Sequence, residues 1–85
     1  MMEIKFTRAA RRHRIGRASV RWVMAQSTPT ATQTKGGTMA WRWIGPDERG
    51  RELDVIAVET QGAKDPAPVL LVIHAMPSYR RGARP

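Results

Sequence analysis

Residues 39–60 read MAWRWIGPDERGRELDVIAVET, and the pattern within them decides the fold. Met39, Trp41 and Trp43 alternate with Ala40, Arg42 and Ile44, which is the two-residue period of a strand. The segment GPDERG, residues 45–50, follows with glycine at both ends, and Pro46-Asp47 suits the start of a turn. From Arg51 to Thr60 the alternation resumes. Leu53, Val55 and Ala57 fall on one side, and Ile56 and Val58 on the other. Two alternating runs around a short turn make a hairpin, and the rest of the chain is read outward from it.

Downstream, the loop TQGAKDPAP (residues 60–68) leads to VLLVIHAMPSYRR (residues 69–81). Val69 to Ile73 are all aliphatic and require burial, so Val69 to Ala75 is expected to be a strand that Pro77 ends. Regular alternation along it puts His74 on the side of Leu70 and Val72, at the strand's end where water reaches it. Upstream, EIKF (residues 3–6) is a short candidate strand. Thr7 is an N-cap candidate for a first helix through His13, which Gly16 interrupts. A second helix is expected over Arg17 to Gln26. Ile15, Ala18 and Trp22, with Val20, Val23 and Met24, repeat at helical spacing, and Arg14, Arg17 and Arg21 share the opposite side. The Thr/Gly/Pro-rich residues 27–38 are a connector with room for one edge strand. The sum is an α+β domain: two N-terminal helices packed on a small antiparallel sheet of three to four strands. It spans residues 1–81, with residues 82–85 as a frayed tail.

An 85-residue chain buries only roughly 60–65% of the surface its unfolded form exposes, so it holds one modest core. The chain has no cysteine, which removes disulfides, thiolate metal sites and thiol catalysis. His13 and His74 are too few for a histidine-built zinc site, and no metal or other cofactor is expected. The N-terminus lacks the apolar stretch of a signal peptide, and no run approaches the ~20 apolar residues of a membrane span. A soluble, cytoplasmic protein is therefore expected. Fifteen Lys and Arg against seven Asp and Glu leave a net charge of +8. Seven of those cations lie before residue 22, opposed by Glu3 alone. Most are arginines, whose planar fork suits bidentate phosphate contacts. The partner implied is a polyanion: nucleic acid, a ribosome or an acidic protein. A basic domain with ordinary solvated arginines is the plainer reading.

RIGRASVRWVM, then WIGPDERGRELDVIAVE, then VLLVIHAMPSYRR resembles the RelE/ParE superfamily of bacterial type II toxins, and within it the BrnT-like toxins. The likeness covers roughly residues 4–81. Its most specific part is Ile44-Gly45 with Arg49-Gly50-Arg51 and the alternating strand that follows. The resemblance implies a small sheet packed on two helices, a metal-free endoribonuclease site on the open face, and a cognate antitoxin covering the toxin. Arg51 matches the family's arginine after the hairpin glycine, and Arg80 its later basic segment. Met76 departs from the pattern, standing where such proteins commonly carry an arginine.

Metal-free RNA cleavage needs a base for the 2′-hydroxyl proton, cations around the crowded phosphate, and a proton for the leaving 5′-oxygen. His74 can act as base or acid, since its unperturbed pKa lies near 6.5. Arg51 and Arg80 would hold phosphate, and Tyr79 would stack on a base or donate a hydrogen bond. Arg11, Arg12, Arg14, Arg17, Arg21 and Arg81 would bind RNA around that centre. The competing reading of His74 is a satisfied histidine at a sheet edge, and His13 reads as solvated or antitoxin-facing. Trp41 and Trp43 read as core beneath the helices, with base stacking as the alternative. Glu52 and Asp54 share a strand face and read as its charged outer side. The expected activity is cleavage of mRNA, free or on the ribosome, with RNA and the antitoxin as partners. The alternatives are a non-enzymatic basic module that binds nucleic acid or ribosome, and a ParE-like inhibitor of gyrase.

Overall fold

The computed structural model describes residues 3–61 and 68–78. The chain runs β1 (Glu3–Phe6), a 3-10 turn (Ala9–Arg11), α1 (Arg17–Gln26), β2 (Thr30–Gln33), β3 (Met39–Pro46), β4 (Glu52–Gln61) and β5 (Pro68–Pro77). All five strands join one sheet in the order β1-β5-β4-β3-β2. β1 lies parallel to β5, and the other pairs are antiparallel. This corrects the expected architecture. There are not two helices on a three- to four-stranded antiparallel sheet but one α-helix on a mixed sheet of five strands.

The first expected helix is replaced by a single 3-10 turn. The Thr7 hydroxyl accepts from the Ala10 N–H at 3.2 Å, as a cap would. Arg11, Arg12 and Arg14 then donate only to carbonyls three residues back, and Arg14 turns into the left-handed region at φ 57°. Arg8, Arg11 and Arg12 at i, i+3 and i+4 repel one another, and no acid lies among them to offset this. A segment this short also never repays helix nucleation. Ala10, 1% exposed, is the turn's one buried residue.

α1 occupies the expected residues. Val20 and Val23 are fully buried, Met24 partly, and the neighbouring Ile15 is 7% exposed. Ala18 and Trp22, expected on the apolar side, are exposed instead. The helix lies on β3 and β4, and the 3-10 turn lies on β5. Between these and the sheet sit Trp43, Leu53, Val55, Ala57, Val72 and Ala75, with Ile4, Phe6 and Leu70 at the margin. Burying each of the larger side chains contributes about 1.5–3 kcal/mol over leaving it in water. The face of the sheet away from the helix has no covering element among the described residues.

The hairpin turns as its sequence requires. Asp47 N–H donates to the Arg51 carbonyl at 2.8 Å, Gly50 N–H donates to the Asp47 carbonyl at 3.0 Å, and Gly50 sits at φ 83°. That left-handed position suits glycine and strains other residues. From this turn β3 and β4 pair in register, Trp43 opposite Val55 and Ile44 opposite Asp54.

Candidate functional site on the open sheet face

His74 is placed by an irregularity in β5. Ile56 pairs with His74, but the next residue of β4, Ala57, pairs with Val72. Ile73 is therefore an extra residue, a β-bulge, and it inverts the alternation beyond it. His74 and Ile56 share the open face, whereas Val72 and Ala57 point into the core. The expectation that His74 would lie with Leu70 and Val72 is thus overturned. It is half-buried and lies on the side away from the helix.

Around it the register sets two rows across β3, β4 and β5. One is Arg42, Ile56, His74 and the other is Ile44, Asp54, Met76. Arg42 reaches diagonally between the rows. Its Nε donates to Asp54 Oδ1 at 3.0 Å and its Nη2 to Asp54 Oδ2 at 2.5 Å. Asp54 is 9% exposed, so its carboxylate would be costly to hold there unpaired. The hydrogen bonds to Asp54 raise the pKa of the Arg42 guanidinium, outweighing the lowering by partial burial. Arg42 stays charged.

Arg51 is engaged elsewhere. Its Nε donates to Asp47 Oδ2 at 3.0 Å, and its own N–H and that of Arg49 donate to Asp47 Oδ1, each at 2.9 Å. Burial pushes the Asp47 carboxyl up, but the backbone donors of Arg51 and Arg49 and the Arg51 guanidinium outweigh it, and the net direction is down. Arg51 lies five residues before Ile56, the partner of His74, which is roughly 17 Å along a strand. The structure does not bring Arg51 and His74 together.

Arg11, Arg12, Arg14, Arg17 and Arg21 are all exposed, as is His13. They belong to the 3-10 turn, the segment after it and α1, so they lie on the helix side of the sheet, across from His74. Arg17 lies over the Phe6 ring, 5.8 Å from its centroid, within the range of a cation–π contact. Tyr79, Arg80 and Arg81 lie outside the described residues. Of the tryptophan pair, Trp43 is core at 5% exposure, but Trp41 is 40% exposed. Trp41 walls an open apolar depression of about 190 Å³ with Pro29, Trp43, Glu59 and Leu70.

Arg42 was not among the residues singled out from the sequence, and Asp54 was read as plain surface charge. The signal for both was available. Counting pairs outward from the turn sets Arg42 opposite Ile56 and so diagonal to Asp54, within reach of a long side chain. Among the described residues, no group of three or more His, Asp or Glu side chains is placed to hold a metal ion. No helix among them is long and apolar enough to cross a membrane. No family model, no curated protein and no solved structure matches the chain.

Proposed function

We propose that the chain is the toxin of a type II toxin–antitoxin pair, a metal-independent endoribonuclease that acts on mRNA in the cytoplasm and is restrained by an antitoxin protein. The observation that carries the proposal is His74, a side chain able to move a proton, turned by the Ile73 bulge onto the sheet face that no described element covers. Bulges are over-represented beside active sites because they re-aim a side chain in this way. The strong excess of arginine and the RelE/ParE-like order of residue motifs point the same way. The five-stranded sheet with one helix does not add to that likeness, so the proposal stands on residues rather than architecture.

In the reaction proposed, His74 takes the proton of an RNA 2′-hydroxyl. The freed oxygen bonds to the adjacent phosphorus, and the bond from phosphorus to the 5′-oxygen breaks. Water supplies the proton that the leaving oxygen needs, and the hydroxide left takes the proton held by His74, which returns to the neutral form. The products are a 2′,3′-cyclic phosphate and a 5′-hydroxyl, and no metal takes part.

Purified protein should cut RNA in the presence of EDTA and leave those two ends. His74→Ala should lower the rate by about 10²–10⁴-fold with the circular dichroism spectrum unchanged. Undiminished cleavage by His74→Ala would remove the histidine from the mechanism. Induction of the protein alone in a bacterium should arrest growth with mRNA cleavage, whereas arrest with DNA-damage signals would favour gyrase as the target.

A second reading, a basic module that binds nucleic acid and cuts nothing, is favoured by one placement. The arginines before residue 22 and the exposed Trp22 and Trp41 do not share the face of His74. Binding to single-stranded RNA with neither cleavage nor growth arrest would select it.

A further inference from the structure

Asp54 is nearly buried on the open sheet face, flanked by Ile44 and Met76 in its row and by Ile56 in the next. Among the described residues its charge partner is Arg42, and the two side chains differ sharply in exposure, 44% for Arg42 against 12% for Asp54. The carboxylate is therefore the anchored end and the guanidinium the displayed one. By reaching for Asp54, Arg42 leaves its own row and carries its guanidinium toward β4. The strand beyond β4 is β5, which carries His74 on the same face.

A guanidinium offers five N–H groups in a rigid fork. Asp54 takes one from Nε and one from Nη2, which leaves three on the edge turned away from the carboxylate. That free edge is the one that pairs bidentately with phosphate oxygens. Lys5 of β1 adds a second cation to the same face, Glu3 of that strand lies two residues from it, and Glu52 of β4 lies on the side toward the hairpin. A pair that merely closed a sheet surface would gain nothing from sinking its acid, since desolvation costs more than an exposed pair returns. What the sunken acid does achieve is a guanidinium held in one place on the sheet face that also carries His74.

We propose that Arg42 and His74 form a phosphodiester-binding site on the open sheet face, in which Arg42 holds the phosphate and Asp54 is the positioning residue that fixes Arg42. The identity of the phosphodiester as RNA rests on the ribonuclease reading, but phosphate binding is measured separately from cleavage.

The probes are inorganic phosphate and the deoxydinucleotide TpT, which lacks a 2′-hydroxyl and cannot be cut. With two histidines in the chain, His13→Gln assigns the imidazole NMR signals. Both probes should shift the His74 ring signals saturably. Arg42→Lys keeps the charge but loses the fork and should weaken binding by about ten-fold or more. Arg42→Ala strands the Asp54 carboxylate and costs stability, so Arg42→Met/Asp54→Asn serves as the variant without a buried charge. It should abolish the saturable shift while its circular dichroism spectrum remains that of the parent. Wild-type affinity in that double variant, or probes that leave the His74 signals unmoved, would overturn the site. Cleavage lost in His74→Ala yet undiminished in the double variant would overturn it as well, leaving the ribonuclease reading intact. Phosphate binding that depends on Arg42, in a protein that cuts no RNA, would sustain the site and sink the ribonuclease.

Discussion

Asp47 holds the β3–β4 hairpin together through three donors, the N–H groups of Arg49 and Arg51 and the Arg51 Nε. These outweigh the rise that burial imposes and bring its pKa below the ordinary carboxylate value. A group whose folded pKa is depressed contributes stability above its unfolded pKa, near 4, and loses it as the pH falls through the folded value. Asp47→Asn should therefore lower the urea midpoint at pH 7, and the gap from wild type should narrow below about pH 4. A gap that stays constant down to pH 2 would show that Asp47 is not linked to folding. Arg51 shares this task, so Arg51→Ala should lower the same midpoint while leaving phosphate affinity at His74 unchanged. At this scale the sequence was half legible. His74 stood out by its chemistry, but its side of the sheet did not, because Ile73 is an ordinary strand residue with no glycine to announce a bulge. Arg42 and Asp54 were hidden for another reason: neither is unusual alone, and only the register makes them a pair.

The β3–β4 hairpin and α1 were readable because their signals are local, alternation on one side and three- and four-residue spacing on the other. β1 and the 3-10 turn were less so. The parallel partner of β1 lies more than sixty residues downstream, Glu3 against Val69, and no local pattern specifies such a pairing. β2 is the edge strand for which the Thr-rich connector had room, but with little to bury its bounds carry no periodic signal. The contact between α1 and the sheet has its own requirement at Gly45. A Cβ there would meet Ser27 Oγ at 2.1 Å and Ser27 Cβ at 3.3 Å, so the end of the helix sits directly on the glycine. Gly45→Ala should destabilise by about 1–3 kcal/mol, and Gly45→Ala/Ser27→Gly should recover part of that loss. Additive costs in chemical denaturation of the two single variants and the double would show that the clash is relieved elsewhere. The bulge in β5 makes a second prediction at this scale. Deleting Ile73 leaves the Ile56–His74 and Ala57–Val72 pairs in place, so that variant should fold and keep its imidazole accessible to diethylpyrocarbonate. Deleting Leu71 instead reverses the faces of the strand before it and should unfold the chain.

The molecule as a whole has two working sides. The side bearing α1 and the 3-10 turn carries Arg11, Arg12, Arg14, Arg17 and Arg21, while the opposite side carries His74 and the Arg42–Asp54 pair. Composition showed the charge plainly, yet it could not show the side, which depends on how the chain crosses from β1 to β2 over the sheet. An RNA that touches both sides must pass around a sheet edge, and the two sides then contribute to different quantities. Under the proposed function, arginines on α1 would contribute to affinity through counterion release, with a slope near −0.7 in log K against log salt for each phosphate contact on a single strand. On the ribonuclease proposal they would contribute nothing to the chemical step, because they do not share the face of His74. Arg17→Gln/Arg21→Gln should therefore raise KM for a long RNA and flatten its salt dependence by up to about 1.4. The same variant should leave kcat and the binding of TpT unchanged. A drop in kcat at unchanged KM would place these arginines in the reaction centre, and the separation of the molecule into a binding side and a chemical side would fail.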